Sequence, residues 1–112
     1  MIVTISPRAY TDLEEIKSYI SDSLQASDSA KIILSDILKS IRSLNELPER
    51  GAPLDTIIDV KTDYRFIQSH NYIIFYRVEG TCVFISRVLY KHRNFLKVFF
   101  SDSAFDNTES ET

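Results

Sequence analysis

The cations of this 112-residue chain are concentrated in one segment. Residues 61–100 carry Lys61, Arg65, Arg77, Arg87, Lys91, Arg93 and Lys97 against two acids, Asp63 and Glu79. Residues 1–60 hold six basic and ten acidic side chains, and residues 101–112 hold four acids and no base, so the net charge of −3 conceals a basic middle. Such a segment attracts anions and points to an acidic partner, either nucleic acid or an acidic protein segment. The competing reading is a solvated rim balanced by acidic helices, in which exposed charges contribute little. Arg77 and Arg87 differ from the rest because apolar residues surround them. A buried arginine requires a partner or an exit to solvent, so these two are either paired structurally or line a groove.

Other chemistries are excluded early. One cysteine, Cys82, permits no disulfide framework and no paired-cysteine metal site within the chain, and two distant histidines argue against zinc. Cys82 reads as a buried, inert thiol. No cofactor, metal or small-molecule pocket is expected. The amino terminus lacks a basic region followed by a long apolar run, and no stretch is long enough to span a bilayer, so a cytoplasmic protein is expected.

The two arginines sit in a predicted β-hairpin. Tyr72 to Val78 and Thr81 to Leu89 are rich in β-branched and aromatic residues, and Glu79 with Gly80 supplies the turn. Both strands are apolar on both faces, which requires cover on both, by helices on one side and by a partner or the chain's tail on the other. Which arginine faces the groove depends on loop length, because adding Thr81 to the loop reverses the relation. Lys91, His92 and Arg93 form a basic exit from the second strand.

Upstream, Ile2 to Ile5 forms a short strand that pairs with the hairpin. Ser6 and Pro7 then open a helix as N-cap and first helical residue, with Asp12, Glu14 and Glu15 toward the positive end of its dipole. Ala9, Leu13, Ile16, Ile20 and Leu24 make one apolar stripe. After a Ser- and Asp-rich connection, with Ser27 or Asp28 as cap, a second stripe runs through Ala30, Ile33, Leu34, Ile37, Leu38, Ile41, Leu44 and Leu47. Pro48 and Gly51 end that helix. Residues 56–63 are ambiguous between an edge strand and a loop, while Tyr64 to Gln68 reads as a strand entering the hairpin. Phe95, Leu96, Phe99 and Phe100 have the spacing of a short C-terminal helix. The fold class is therefore α+β: a small antiparallel sheet packed against an N-terminal helical hairpin, with a short C-terminal helix. Residues 1–100 form a single domain, and 101–112 an acidic flexible tail.

Several short stretches, in order over about residues 3–99, resemble the ParE branch of the RelE/ParE toxin superfamily. They are Asp12 to Ile16 with Tyr19 and Ile20, Ala30 with Ile33, Leu44 with Pro48 and Gly51, Tyr64 with Arg65, Asn71 to Arg77, and Ile85 to Val88 through His92 and Arg93. The resemblance implies a toxin of a type II toxin-antitoxin system, bound by an antitoxin encoded beside it in a hetero-oligomer. Its two branches act differently. RelE-like members cut messenger RNA on the ribosome, which requires cationic stabilisation and proton-transfer groups. In that reading Tyr90 and His92 would serve as acid or base, with Arg87, Lys91 and Arg93 as phosphate clamps. The nucleases usually carry an arginine after the tyrosine that begins the hairpin, where this chain has Ile73, and Phe99 and Phe100 replace a proton-exchanging group near the end. ParE-like members instead inhibit DNA gyrase by protein contact and need no catalytic residue. For that contact, or for the antitoxin, the candidates are Arg65, Arg77, Arg87, Lys91, Arg93, Phe95 and Phe99. A third reading is a degenerate, non-toxic antitoxin-binding module.

Overall fold

Ser6 joins strand to helix at the start of the chain, and the rest of the fold is organised around that junction. The computed structural model describes residues 2–23, 27–92 and 96–98. Strand β1 (Ile2–Ile5) leads directly into helix α1 (Pro7–Ser23), and α2 (Ser27–Ser43) returns beside it. The Ser6 Oγ accepts a hydrogen bond from Ala9 N at 3.0 Å, the contact of an N-cap serine. The first turn of α1 holds no acid. Asp12, expected to complement the dipole, is instead buried.

Strands β2 (Ala52–Pro53), β3 (Arg65–Ser69), β4 (Tyr72–Glu79) and β5 (Cys82–Tyr90) complete a five-stranded sheet in the order β1-β5-β4-β3-β2. The β2-β3-β4-β5 pairings are antiparallel, whereas β1 lies parallel to β5, which makes the sheet mixed. Parallel pairing needs a crossover, and the path through the helical hairpin and β2 to β4 supplies it. In the β4–β5 turn Glu79 pairs with Cys82, leaving Gly80 and Thr81 as a two-residue loop. Gly80 has φ 61°, the left-handed value that a tight hairpin asks of its first loop residue.

Two apolar clusters cover the two sheet faces. The helix-side core contains Ala9, Leu13, Ile16 and Ile20 of α1, Ala30, Ile37 and Ile41 of α2, and Ile67, Ile74, Tyr76, Val83, Ile85 and Val88 of the sheet. Leu54, Tyr64, Ile73, Phe75 and Leu89 form the other, with Ile58, Phe66, Leu96 and Val98 packed against it. Residues 54–64 and the helical turn at 96–98 therefore provide the second cover. Residues 57–64 run as bends and loop, which resolves the ambiguity there.

Besides the parallel pairing of β1, which corrects the expected all-antiparallel sheet, other expectations need correction. Helix α2 ends at Ser43, and successive turns follow, so Leu47 drops out of the stripe and is 62% exposed. Helix α2 begins at Ser27, so Asp28 lies within its first turn and is not the cap. Cys82 is only half-buried at the start of β5. Leu24 lies outside the described residues.

A buried hydroxyl secures the α2–β2 loop. Tyr76 Oη accepts from Gly51 N at 2.9 Å and donates to Pro48 O at 2.8 Å. A Cβ on Gly51 would meet that oxygen at 2.6 Å and Phe66 O at 2.7 Å. Close approach of the loop to the sheet, and not a left-handed turn, is the reason for glycine here.

Candidate functional site

A β-bulge in β5 shapes the site. Phe75 pairs with Arg87 but Tyr76 pairs with Ile85, leaving Ser86 as the extra residue. Strict alternation would place Val83, Ile85, Arg87 and Leu89 on one face. The bulge resets it, so Val88 joins Val83 and Ile85 in the helix-side core while Leu89 packs on the opposite side. Ser6 clamps the bulge by donating its N–H to Ile85 O at 3.0 Å and its hydroxyl to Ser86 O at 3.1 Å. At that level β1 leaves the sheet and becomes α1.

Asp12 of α1 occupies the space where β1 would have continued. Its Oδ2 accepts from Arg87 Nε at 2.7 Å and Val88 N at 2.9 Å, and its Oδ1 accepts from Arg87 Nη2 at 2.9 Å. The carboxylate thus neutralises the guanidinium with a two-pronged bond and satisfies a backbone donor on the edge of β5. Both side chains are almost completely buried, at 5% and 3% exposure for the residues.

Beyond this pair, α1 and the end of β5 enclose a groove of about 420 Å³. Its walls include Ile16 and Tyr19 of α1, Tyr72, and Val88, Leu89 and Tyr90 of β5, with Val98 on the far side. Arg8 and Glu15 add charge to the walls. The Tyr72 and Tyr90 rings lie 5.6 Å apart at 51°, and His92 meets Tyr90 edge-on at 5.2 Å. Burial, reinforced by the nearby Tyr90 and Tyr19 phenols, pushes the Tyr72 phenol above its ordinary value of 10.0.

The sequence candidates fall into separate places. Arg87 and Tyr90 line the groove, and Lys91 and His92 follow β5 in a turn held by Lys91 N donating to Asn71 O at 2.8 Å. Arg65 bonds the loop carbonyl of Gly51 at 2.7 Å. Arg77 reaches Asp63 at 3.2 Å and lies 5.8 Å above the Tyr64 ring. The hydrogen bond to Asp63 raises the Arg77 pKa. Arg77 therefore shares the Ile73 and Phe75 face, and Arg87 is the arginine at the groove. Arg93, Phe95 and Phe99 lie outside the described residues, as does Phe100. Asp12 escaped the sequence reading as a site residue. The available signal was a carboxylate between Ala9 and Ile16 on the apolar stripe, in a chain with two arginines that needed partners. Among the described residues, no group of three His, Cys, Asp or Glu side chains is arranged to hold a metal ion, and no helix is long and apolar enough to cross a membrane.

A mixed sheet covered on one face by a helical hairpin, with a bulge and groove at the end of β5, defines a small α+β fold that recurs in a solved structure. A chain of the chromosomal ParDE TA system from P. aeruginosa has the same fold, with a TM-score of 0.68 at 20% identity over 80% of this chain and 95% of that one. Residues 3–95 match the family described as the ParE toxin of the type II toxin-antitoxin system, parDE, and the chain belongs to that family. A search of curated proteins found no match.

Proposed function

We propose that this ParE-type toxin inhibits DNA gyrase by protein-protein contact and is neutralised by a cognate antitoxin. The observation that carries the reading is the engagement of Arg87. A phosphate clamp must offer guanidinium donors to solvent, and Arg87 directs Nε and Nη2 to a buried carboxylate. Ile73 supports the same reading, because it is buried in the second apolar cluster at the position where the nucleases carry an arginine. A contact mechanism asks only for surface charge and apolar anchors. Lys91 and His92 are the described residues assigned to it, joined by Arg93, Phe95 and Phe99; Arg65 and Arg77 support the adjacent loops.

Inducing the chain in cells and recovering DNA covalently attached to gyrase tests the reading. Trapped gyrase should accumulate, and co-expression of the antitoxin should abolish it. Messenger RNA cut at codon-spaced positions, with gyrase untouched, would instead assign the chain to the nucleases and return Tyr90 and His92 to catalysis.

A further inference from the structure

Among the described residues, His70 in the β3–β4 turn is the one side-chain-bearing residue with a left-handed backbone, at φ 57°. A Cβ makes that conformation costly, and it persists where the surroundings hold it. Two side chains do so here. Gln68 Nε2 donates to His70 O at 2.9 Å, and His70 Nε2 meets Asp36 Oδ2 of α2 at 2.7 Å. A carboxylate only accepts, so Nε2 carries the proton of the second bond. The next residue reaches the basic exit of β5. Asn71 O accepts from Lys91 N at 2.8 Å, one step beyond the Tyr72–Tyr90 pair that ends the β4–β5 ladder. That bond fixes where the chain leaves β5 for Lys91 and His92. Helix α2 is thereby linked to the basic turn through Asp36, His70, Asn71 and Lys91.

We infer that Asp36 and His70 are positioning residues for the toxin's contact with its target. The inference rests on the gyrase-contact reading, in which Lys91 and His92 touch the target. By seating the β3–β4 turn on α2, the pair settles the Asn71 carbonyl, and with it the Lys91 backbone, before the target arrives. Less freedom is then lost on docking. Glycine would take the left-handed turn more cheaply but has no side chain to reach α2. Histidine makes the turn harder and ties it down. The His70 and Asp36 side chains are 38% and 43% exposed, and water weakens such a pair, so its influence is graded and not all-or-none.

The test pairs two measurements on the full chain freed of its antitoxin: inhibition of gyrase supercoiling, and hydrogen exchange of the backbone amides. Asp36→Ala and His70→Gly should each raise the concentration for half-inhibition about fivefold, the size of one exposed ion pair. The Lys91 amide should exchange faster by about the same factor, while Ile74 and Phe75 in the middle of β4 keep their rates. His70→Gly also relieves the left-handed strain, so its melting temperature should change little. Lost potency in that variant separates positioning from stability. The double variant should be no weaker than either single one, because both break the same link. Additive losses would overturn the inference, as would variants that inhibit gyrase as well as the unaltered chain does. Weakened inhibition with unchanged Lys91 exchange would overturn it too, by making Asp36 and His70 direct contacts of the target. If the unaltered chain does not inhibit gyrase at all, the gyrase reading falls and this inference falls with it.

Discussion

Arg77 and Arg87 belong to the same hairpin and each meets an aspartate, yet the two pairs sit in different physical worlds. The Arg87 side chain is 4% exposed and its Asp12 partner 5%, with charge-assisted bonds at 2.7 and 2.9 Å. The Arg77 side chain is 36% exposed and that of Asp63 65%, at a single 3.2 Å contact. Water screens the second pair and is absent from the first, so only the first is irreplaceable piecemeal. The difference follows from the chain path. Asp12 is carried to the edge of β5 by a packed helix, whereas Asp63 rides on a loop.

Removing one member of the buried pair gives the largest effect. Asp12→Ala should cost about 3–5 kcal/mol in denaturant unfolding, because it strands a buried guanidinium. The double variant Asp12→Leu with Arg87→Met should recover most of that loss, since replacing both charges by apolar groups removes the desolvation problem. No recovery would mean that the Val88 N–H bond, and not the charge pair, carries the stability.

The neutral node at Tyr76 is as deeply buried and sharpens the contrast. Tyr76→Phe leaves Gly51 N and Pro48 O without their partner and should cost about 1–3 kcal/mol, and Gly51→Ala about as much through overpacking. Alkaline titration offers a subtler probe. With its folded pKa raised above 10.0, the Tyr72 phenol favours folding below that pH. The stability it contributes should fall as pH rises from 10.0 through the folded pKa, because the unfolded chain ionises first. Tyr72→Phe should flatten that part of the curve in pH-dependent melting. Arg77→Ala marks the smallest change, below about 1 kcal/mol, and the loss should shrink further when salt is added.

Much of this was legible because periodicity reports burial. The stripes of α1 and α2 through Ile41, and the two apolar strands, appear in the structure where their spacing put them. Leu47 kept the helical spacing after the helix had ended, and spacing alone cannot reveal that stop. The bulge at Ser86 has no sequence mark, so the faces of Val88 and Leu89 could not be assigned by counting. Asp12 looked like an acid placed for the helix dipole. Its partner lies 75 residues away, a separation that local pattern does not reach. The parallel pairing of β1 was likewise invisible to residue type, since antiparallel and parallel strands draw on the same β-branched residues.

The proposed mode of action is contact with gyrase and not the cutting of RNA. Its most direct test adds the antitoxin-free chain to purified gyrase with plasmid DNA and, in parallel, to ribosomes programmed with messenger RNA. The account expects blocked supercoiling with cleaved DNA held by gyrase, and intact messenger RNA. Unimpaired supercoiling together with codon-spaced cuts in the RNA would contradict it.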